Sequence, residues 1–73
     1  MGYDPCNGGA TPEHFALWER QARAMDERSL LWTIADCRQA EAAMRGWNPA
    51  REGFYADQAC TFGMELTRRR RAR

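Results

Sequence analysis

The first amphipathic pattern in the chain repeats its apolar residues at spacings of three, four and three, which places them on one face of a helix. Its members are Phe15, Trp18, Ala22 and Met25. Charged residues occupy the opposite side. Upstream, Thr11 can cap a helix and Pro12 fits its first position, while Glu13 suits the positive end of the helix dipole. The pattern predicts a helix over residues 12–27.

The period breaks near residues 26–29, and a new apolar face begins there. Its members are Leu30, Ile34, Cys37 and Met44, with Ala40 at the edge. The shift predicts a second helix, which Ser29 caps and which stops at Gly46, because glycine commonly follows a helix C-terminus. Neither glycine nor proline occurs between residues 13 and 45, so one long bent helix is the alternative.

A third helix is predicted from residue 49 to about residue 68, since Asn48 can cap it and Pro49 fits its first position. Two stripes run along it. The first consists of small residues, Gly53, Ala56, Cys60 and Gly63, and the second of Tyr55, Ala59, Phe62 and Leu66. The short connection predicts that the second and third helices pair antiparallel. We expect the small stripe to form their contact, and a kink or fraying at Gly63 is the alternative.

These elements define an all-α fold, either a small helical hairpin or a three-helix bundle, in a chain of 73 residues. Residues 12–71 form the predicted single helical domain. Residues 1–11, with three glycines and a proline, predict a flexible N-terminal arm, and residues 68–73 form a basic C-terminal end. No apolar run approaches the roughly 20 residues that span a bilayer, and no signal-peptide pattern opens the chain. We therefore expect a cytoplasmic protein.

The residues that could bind zinc are Cys6, His14, Cys37 and Cys60. Their spacing contains no CxxC pair, so neither a metal nor another cofactor is predicted. An odd count of three cysteines favours a reducing compartment over a disulfide framework. We expect Cys37 and Cys60 to be small buried core residues, with a bridge between them as the alternative. No nucleophile or orienting acid accompanies His14, so an enzyme is not predicted.

Charge is distributed unevenly along the chain. Residues 1–67 carry six arginines against ten acidic residues, and five arginines follow. They are Arg68, Arg69, Arg70, Arg71 and Arg73. Guanidinium groups bind phosphates, so this end could contact nucleic acid without sequence preference. The acidic body lacks a broad basic footprint, and cations also suit a helix C-terminus, so nucleic-acid binding is the alternative rather than the favoured function.

Aromatic residues outside the predicted core are candidates for binding a protein, because exposed Trp and similar side chains are common interface anchors. Trp32 and Phe54 point away from the apolar faces of their helices; the alternative is that the first helix covers Trp32 or the arm covers Phe54. Glu41 projects from the second helix's apolar face, where Arg45 or Tyr55 could pair with it, unless solvent does. The predicted partner-binding residues are Trp32, Glu41, Trp47 and Phe54.

A longer motif runs through the second and third helices as Leu-Leu-Trp-x-Ile-x-Asp-Cys-Arg, then Asn-Pro, Gly-x-Tyr-x-Asp and Met-Glu-Leu before the arginines. The matching residues are Leu30, Leu31, Trp32, Ile34, Asp36, Cys37, Arg38, Asn48, Pro49, Gly53, Tyr55, Asp57, Met64, Glu65 and Leu66. With this motif, about residues 29–71 resemble a group of small phage and prophage proteins of unassigned function. Glu41 departs from the group's pattern, because the resemblance implies an apolar residue at this position. The resemblance implies a phage-encoded accessory protein acting in the host cytoplasm, and it carries over no catalytic residue.

The favoured function is therefore a binding module that modulates or inhibits a host or antiviral-defence protein through a helical surface. The alternatives are a nucleic-acid-associated protein that uses the arginine end and an oligomeric structural or assembly subunit. A homodimer is compatible with each, because three short helices leave apolar surface uncovered. No membrane partner is predicted.

Overall fold

The computed structural model describes residues 10–72, which form three α-helices and no β-strand. The helices are α1 (Pro12–Ala24), α2 (Glu27–Met44) and α3 (Pro49–Ala72). The predicted all-α fold is confirmed as a small three-helix bundle. Residues 1–9, which belong to the predicted arm, and Arg73 lie outside the described part of the chain.

The start of α1 follows the prediction. Thr11 is its N-cap: the Thr11 hydroxyl oxygen accepts from the His14 backbone N–H at 3.3 Å, and the Thr11 N–H donates to His14 Nδ1 at 3.0 Å. This reciprocal pair satisfies two polar groups that the first turn leaves without helical partners. His14 is thus a helix-capping residue, and its half-buried ring also contacts Trp18 and Phe54.

The junction between α1 and α2 is a true break, so the alternative of one long helix is wrong. Met25 and Asp26 are both extended, with ψ values of 146° and 169°. The predicted cap is also corrected. Asp26 is the N-cap of α2 and its carboxylate accepts from the Ser29 backbone N–H at 2.7 Å, which puts Ser29 inside the first turn. A carboxylate is favoured at that position because it also lies at the positive end of the helix dipole.

The connection between α2 and α3 is tight. Arg45 is the C-cap of α2, one residue earlier than predicted, and Gly46 follows with φ of +88°, a conformation that glycine adopts without strain. Asn48 Oδ1 accepts from the Arg51 backbone N–H at 3.2 Å, as expected for a cap of α3. Arg45 and Glu52 also approach to 3.4 Å across the turn. The predicted antiparallel hairpin of α2 and α3 is therefore confirmed.

The core lies where α3 packs against both other helices. Its fully buried members are Trp18, Ala22, Leu30 and Phe62, and Phe15, Met25, Ile34 and Phe54 pack around them. Near the start of α3, the ring centroids of Trp18 and Phe54 are 5.2 Å apart. Near the C-terminal end of α3, Arg69 contacts the last turn of α1. The helices α1 and α3 therefore run in the same direction, with α2 returning between them in sequence.

The stripe of α3 that faces the core is not the predicted one. Ala59, Phe62 and Leu66 are buried, whereas Cys60 is exposed. A Cβ atom built on Gly63 would have no neighbouring atom within 4 Å, so no helix of the same chain approaches it closely. The larger stripe, which lies beside the small one, is the buried one because its burial removes more apolar area from water. The alternative that α3 frays at Gly63 is wrong, because the helix continues to Ala72.

Candidate interaction surfaces

The last three turns of α3 contain an ion-pair cluster around one buried carboxylate. The Glu65 carboxylate is buried, and Arg68 binds both of its oxygens at 3.0 and 2.7 Å. Arg69 Nε donates to the same carboxylate at 2.7 Å. Spacings of three and four residues bring these side chains together on a helix, so the pairing was visible in the sequence. The cluster supports the last turns of α3, which continue to Ala72, past residue 68 where the helix was predicted to end.

Arg69 also joins α3 to the end of α1. Its Nη2 atom lies 2.9 Å from the carbonyl oxygen of Ala22, 3.2 Å from that of Arg23 and 2.6 Å from that of Met25. Carbonyls in the last turn of a helix lack the donor that a further turn would provide, and the guanidinium group supplies one. The Ala22 carbonyl oxygen also accepts from the Met25 backbone N–H at 3.2 Å. Arg69 is therefore a structural residue. Sequence reasoning missed this role because Arg69 and Ala22 are 47 residues apart.

The predicted nucleic-acid-binding arginines thus have different surroundings. Arg68 and Arg69 pair with Glu65, and Arg69 is half-buried, whereas Arg70 and Arg71 are exposed. Arg73 lies outside the described residues. All of those described belong to α3 itself, so they do not form a separate basic tail.

The two arginines lower the pKa of Glu65. Hydrogen bonds from Arg68, and then from Arg69, hold the pKa of Glu65 at about 2, below its usual value of 4.5. The same contact raises the pKa of Arg68. A folded-state pKa below the unfolded value means that charged Glu65 stabilises the fold above pH 4.5, and that this contribution is lost as pH falls towards 2.

Replacing Glu65 with glutamine is expected to reduce the loss of stability in acid, because the variant has no carboxylate to protonate at this position. The melting temperature should be followed by circular dichroism from neutral pH to about pH 2.5. Below pH 4.5 the melting temperature should fall further in the wild-type protein than in the variant. The matched control is Glu19→Gln, which removes an exposed carboxylate and should keep the wild-type slope. Equal slopes for Glu65→Gln and wild type would contradict this role.

The outer face of α2 carries the most exposed aromatic side chains of the described residues. Trp32 is 69% exposed, and its neighbour Leu31 is 45% exposed. At the other end of the helix Trp47 is also 69% exposed, and its indole N–H donates to the carbonyl oxygen of Ala43 at 2.7 Å. Trp47 lies in the turn that follows α2, and this bond holds its indole against the last turn of the helix. Trp32 and Ala43 are 11 positions apart in the sequence, about 16 Å along the helix axis.

The other two predicted partner-binding residues are engaged within the chain. Phe54 packs against the core and its ring meets those of His14 and Trp18, so the prediction that it is an exposed anchor is wrong. Glu41 is half-buried and pairs with Arg38 at 2.9 Å and Arg45 at 3.8 Å. Of the two possible partners named for Glu41, Arg45 therefore pairs with it.

The outward face of α3 forms a ridge between two grooves. Cys60, Met64 and Arg68 line both of them, and Met64 is 66% exposed. The groove towards α1 has a volume of about 620 Å³, and Phe15, Ala22, Asp57 and Thr61 are among its other lining residues. The groove towards α2 has a volume of about 600 Å³, and its further lining residues include Ile34, Gly63, Thr67 and Arg71. We call this surface the α3 ridge.

The two described cysteines differ in environment and both are free. Cys37 is buried as predicted, and burial raises the pKa of its thiol, with a smaller contribution from Asp36. Cys60 is exposed on the α3 ridge, so its predicted burial is wrong, as is the alternative of a bridge to Cys37. Within residues 10–72, His, Cys, Asp and Glu side chains form no group of three that could hold a metal ion.

The geometry defines a small all-α three-helix protein with two exposed surfaces, the outer face of α2 and the α3 ridge. No protein-family model matches the sequence, and neither curated proteins nor solved structures provide a match. Among the described helices, none is both long and apolar enough to cross a membrane.

Proposed function

We propose that this protein is a phage-type accessory protein that binds a host or antiviral-defence protein in the cytoplasm and modulates or inhibits it. The observation that carries the proposal is the pair of exposed indoles, Trp32 on the outer face of α2 and Trp47 in the turn that follows this helix. Blocking a partner requires a complementary surface and no catalytic group. The resemblance of about residues 29–71 to small phage and prophage proteins supports the cellular setting.

The outer face of α2 has the character of a protein-binding surface. Tryptophan is enriched among the residues that contribute most to binding energy, and large exposed apolar groups on a soluble domain mark interaction sites. Side chains between the two indoles are small or polar and lie on the same exposed face; they include Ala35, Asp36, Gln39 and Ala43. A partner could therefore approach α2 closely in the space between the indoles of Trp32 and Trp47.

Nucleic-acid binding has weaker support. Two of the five terminal arginines pair with Glu65, and Arg69 is committed to the carbonyls of α1. Glu65 therefore offsets one of the two charges on Arg68 and Arg69, and the guanidinium group of Arg69 is occupied within the chain. Removal of residues 68–73 would not be a clean test, because it would also remove these structural contacts.

The binding proposal predicts that Trp32→Ala abolishes capture of the partner while the fold is kept. The tagged protein would be used to capture proteins from the native host, and mass spectrometry would identify those enriched. A binding anchor of this kind contributes about 2 kcal/mol, so with the purified partner Kd should rise about 30-fold. Trp47→Ala should give a smaller effect in the same direction, because Trp47 also contacts Ala43.

The matched control is Leu17→Ala on α1, which truncates an apolar side chain that is 41% exposed and distant in sequence from α2. It should capture the same protein as wild type. A partner retained equally by Trp32→Ala would exclude the outer face of α2 as its binding surface. Failure of every form to enrich a host protein would contradict the proposal as a whole.

A further inference from the structure

We infer that the groove between α2 and α3 binds an acidic, amphipathic segment of a protein. Neither Trp32 nor Trp47 lines this groove, so it is a different surface from the one assigned to the host partner. Three features of the groove carry the inference. Its lining is basic, the carboxylates that pair with its arginines are shielded from solvent, and its floor is apolar and open.

The charge of the lining distinguishes this groove from its neighbour. Arg38, Arg68 and Arg71 line the groove between α2 and α3, and none of the described residues in its lining is acidic. The lining of the groove between α1 and α3 mixes two arginines with three acidic residues, Glu19, Asp57 and Glu65. A surface of one sign favours partners of the opposite sign and disfavours others. The groove between α2 and α3 is therefore complementary to an acidic partner.

The ion pairs within the chain leave these arginines available to a partner. Arg38 donates to Glu41 through Nη1 alone, and Arg68 donates to Glu65 through Nε and Nη2. A guanidinium group has five N–H donors, so both arginines keep donors for a second carboxylate. The arginine side chains are 56% and 63% exposed, against 15% and 7% for Glu41 and Glu65. Arg71 is also exposed, and it forms no ion pair with another described residue. A partner that approaches from solvent therefore meets guanidinium groups before carboxylates.

The floor of the groove selects a protein segment over nucleic acid. Ile34, Ala59 and Met64 line a space of about 600 Å³. Gly63 lines it too, and a Cβ atom built there would meet no atom within 4 Å, so the groove is open at this point. Phosphates have no apolar group to bury against this floor. An acidic protein segment can place apolar side chains on the floor and its carboxylates on the arginines, which removes apolar area from water.

An NMR titration tests the proposal on the full chain, with a synthetic amphipathic peptide of leucine and glutamate as the probe. The peptide should shift the backbone amide resonances of Gly63 and Thr67, which line the groove, and leave that of Leu17 on α1 unchanged. Kd should rise with ionic strength, because salt screens contacts between exposed charges. Absence of binding at millimolar peptide, or equal affinity for a peptide with lysine in place of glutamate, would overturn the proposal.

Two variants test the charge of the groove and its open space separately. Arg71→Glu reverses an exposed charge and should raise Kd for the leucine–glutamate peptide about 10-fold. Gly63→Leu places a side chain in the groove and should weaken binding at least as much. Circular dichroism should show that its helicity is kept, because leucine is a better helix former than glycine and meets no atom at its Cβ position. The matched control is Arg20→Glu, which makes the same charge change at an exposed position of α1 and should bind like wild type. Unchanged affinity in both Arg71→Glu and Gly63→Leu would exclude the groove as the binding site.

The same amide resonances identify other occupants of the groove. Double-stranded DNA that bound more tightly than the peptide and shifted Gly63 and Thr67 would assign the groove to nucleic acid and overturn the proposal. Shifts of these amides that depended on protein concentration in the absence of peptide would assign it to a second copy, with the same consequence. All of these measurements use the purified protein, so failure of the host capture experiment would leave them unaffected.

Discussion

Replacing Arg69 with alanine is expected to lower the free energy of unfolding by about 3 kcal/mol, because one side chain satisfies groups on two helices. The change leaves the carbonyl oxygens of Ala22, Arg23 and Met25 without their arginine donor and removes one of the two cations on Glu65. Urea denaturation followed by circular dichroism measures the effect. For a domain of this size the melting temperature should fall by about 15 °C.

Two control variants separate this role from the effect of charge alone. Arg70→Ala removes the same charge from an exposed position one residue away and should change stability by no more than about 0.5 kcal/mol. Arg69→Lys keeps the charge but has no planar set of donors, so it should recover less than half of the loss. If Arg69→Ala and Arg70→Ala were equally stable, the link between α3 and the end of α1 would not contribute to folding.

Replacing Phe62 with alanine is expected to lower the free energy of unfolding by about 4 kcal/mol, because it deletes one of the two largest fully buried side chains in the described structure. The whole free energy of unfolding for a chain of this length is about 4–10 kcal/mol, so the variant should be largely unfolded at 37 °C. Denaturant and thermal unfolding at one fixed protein concentration measure the loss, since self-association would make stability depend on concentration.

Trp32→Ala is the matched aromatic control for Phe62→Ala. It deletes a larger side chain, but one that is 69% exposed, and it should change stability by no more than about 0.5 kcal/mol. The contrast tests whether the loss of stability in Phe62→Ala comes from the burial of Phe62 rather than from the deletion of an aromatic ring as such. A Phe62→Ala variant as stable as wild type would mean that the stripe of Ala59, Phe62 and Leu66 does not face the other helices.

The two proposed surfaces call for different chemistry. The outer face of α2 and the turn that follows it offer two separated indoles with small and polar residues between them, which suits an unrelated protein of matching shape. The groove between α2 and α3 offers arginines above an apolar floor, which suits an acidic, amphipathic segment.

Local signals in the sequence predicted the helices well. Some helix ends depend only on contacts within a few residues, so they could be predicted without the tertiary structure. These are the Thr11 cap, the glycine after α2 and the Asn48–Pro49 start of α3. The break near Asp26 was also visible in the shift of hydrophobic period. Its cap was misassigned to Ser29 because two capping residues stood close together, and only the backbone geometry shows that Asp26 occupies the cap position.

The sequence by itself therefore determined an all-α chain of three helices, with α2 and α3 paired antiparallel across a short turn. Only the tertiary structure decided which stripe of α3 is buried, because two adjacent stripes had suitable spacing and the difference lay in how much apolar area the other helices could cover. It also decided that Arg69 supports the end of α1 and that Phe54 belongs to the core. Those outcomes depend on contacts between residues far apart in the chain, which periodicity and capping signals do not encode.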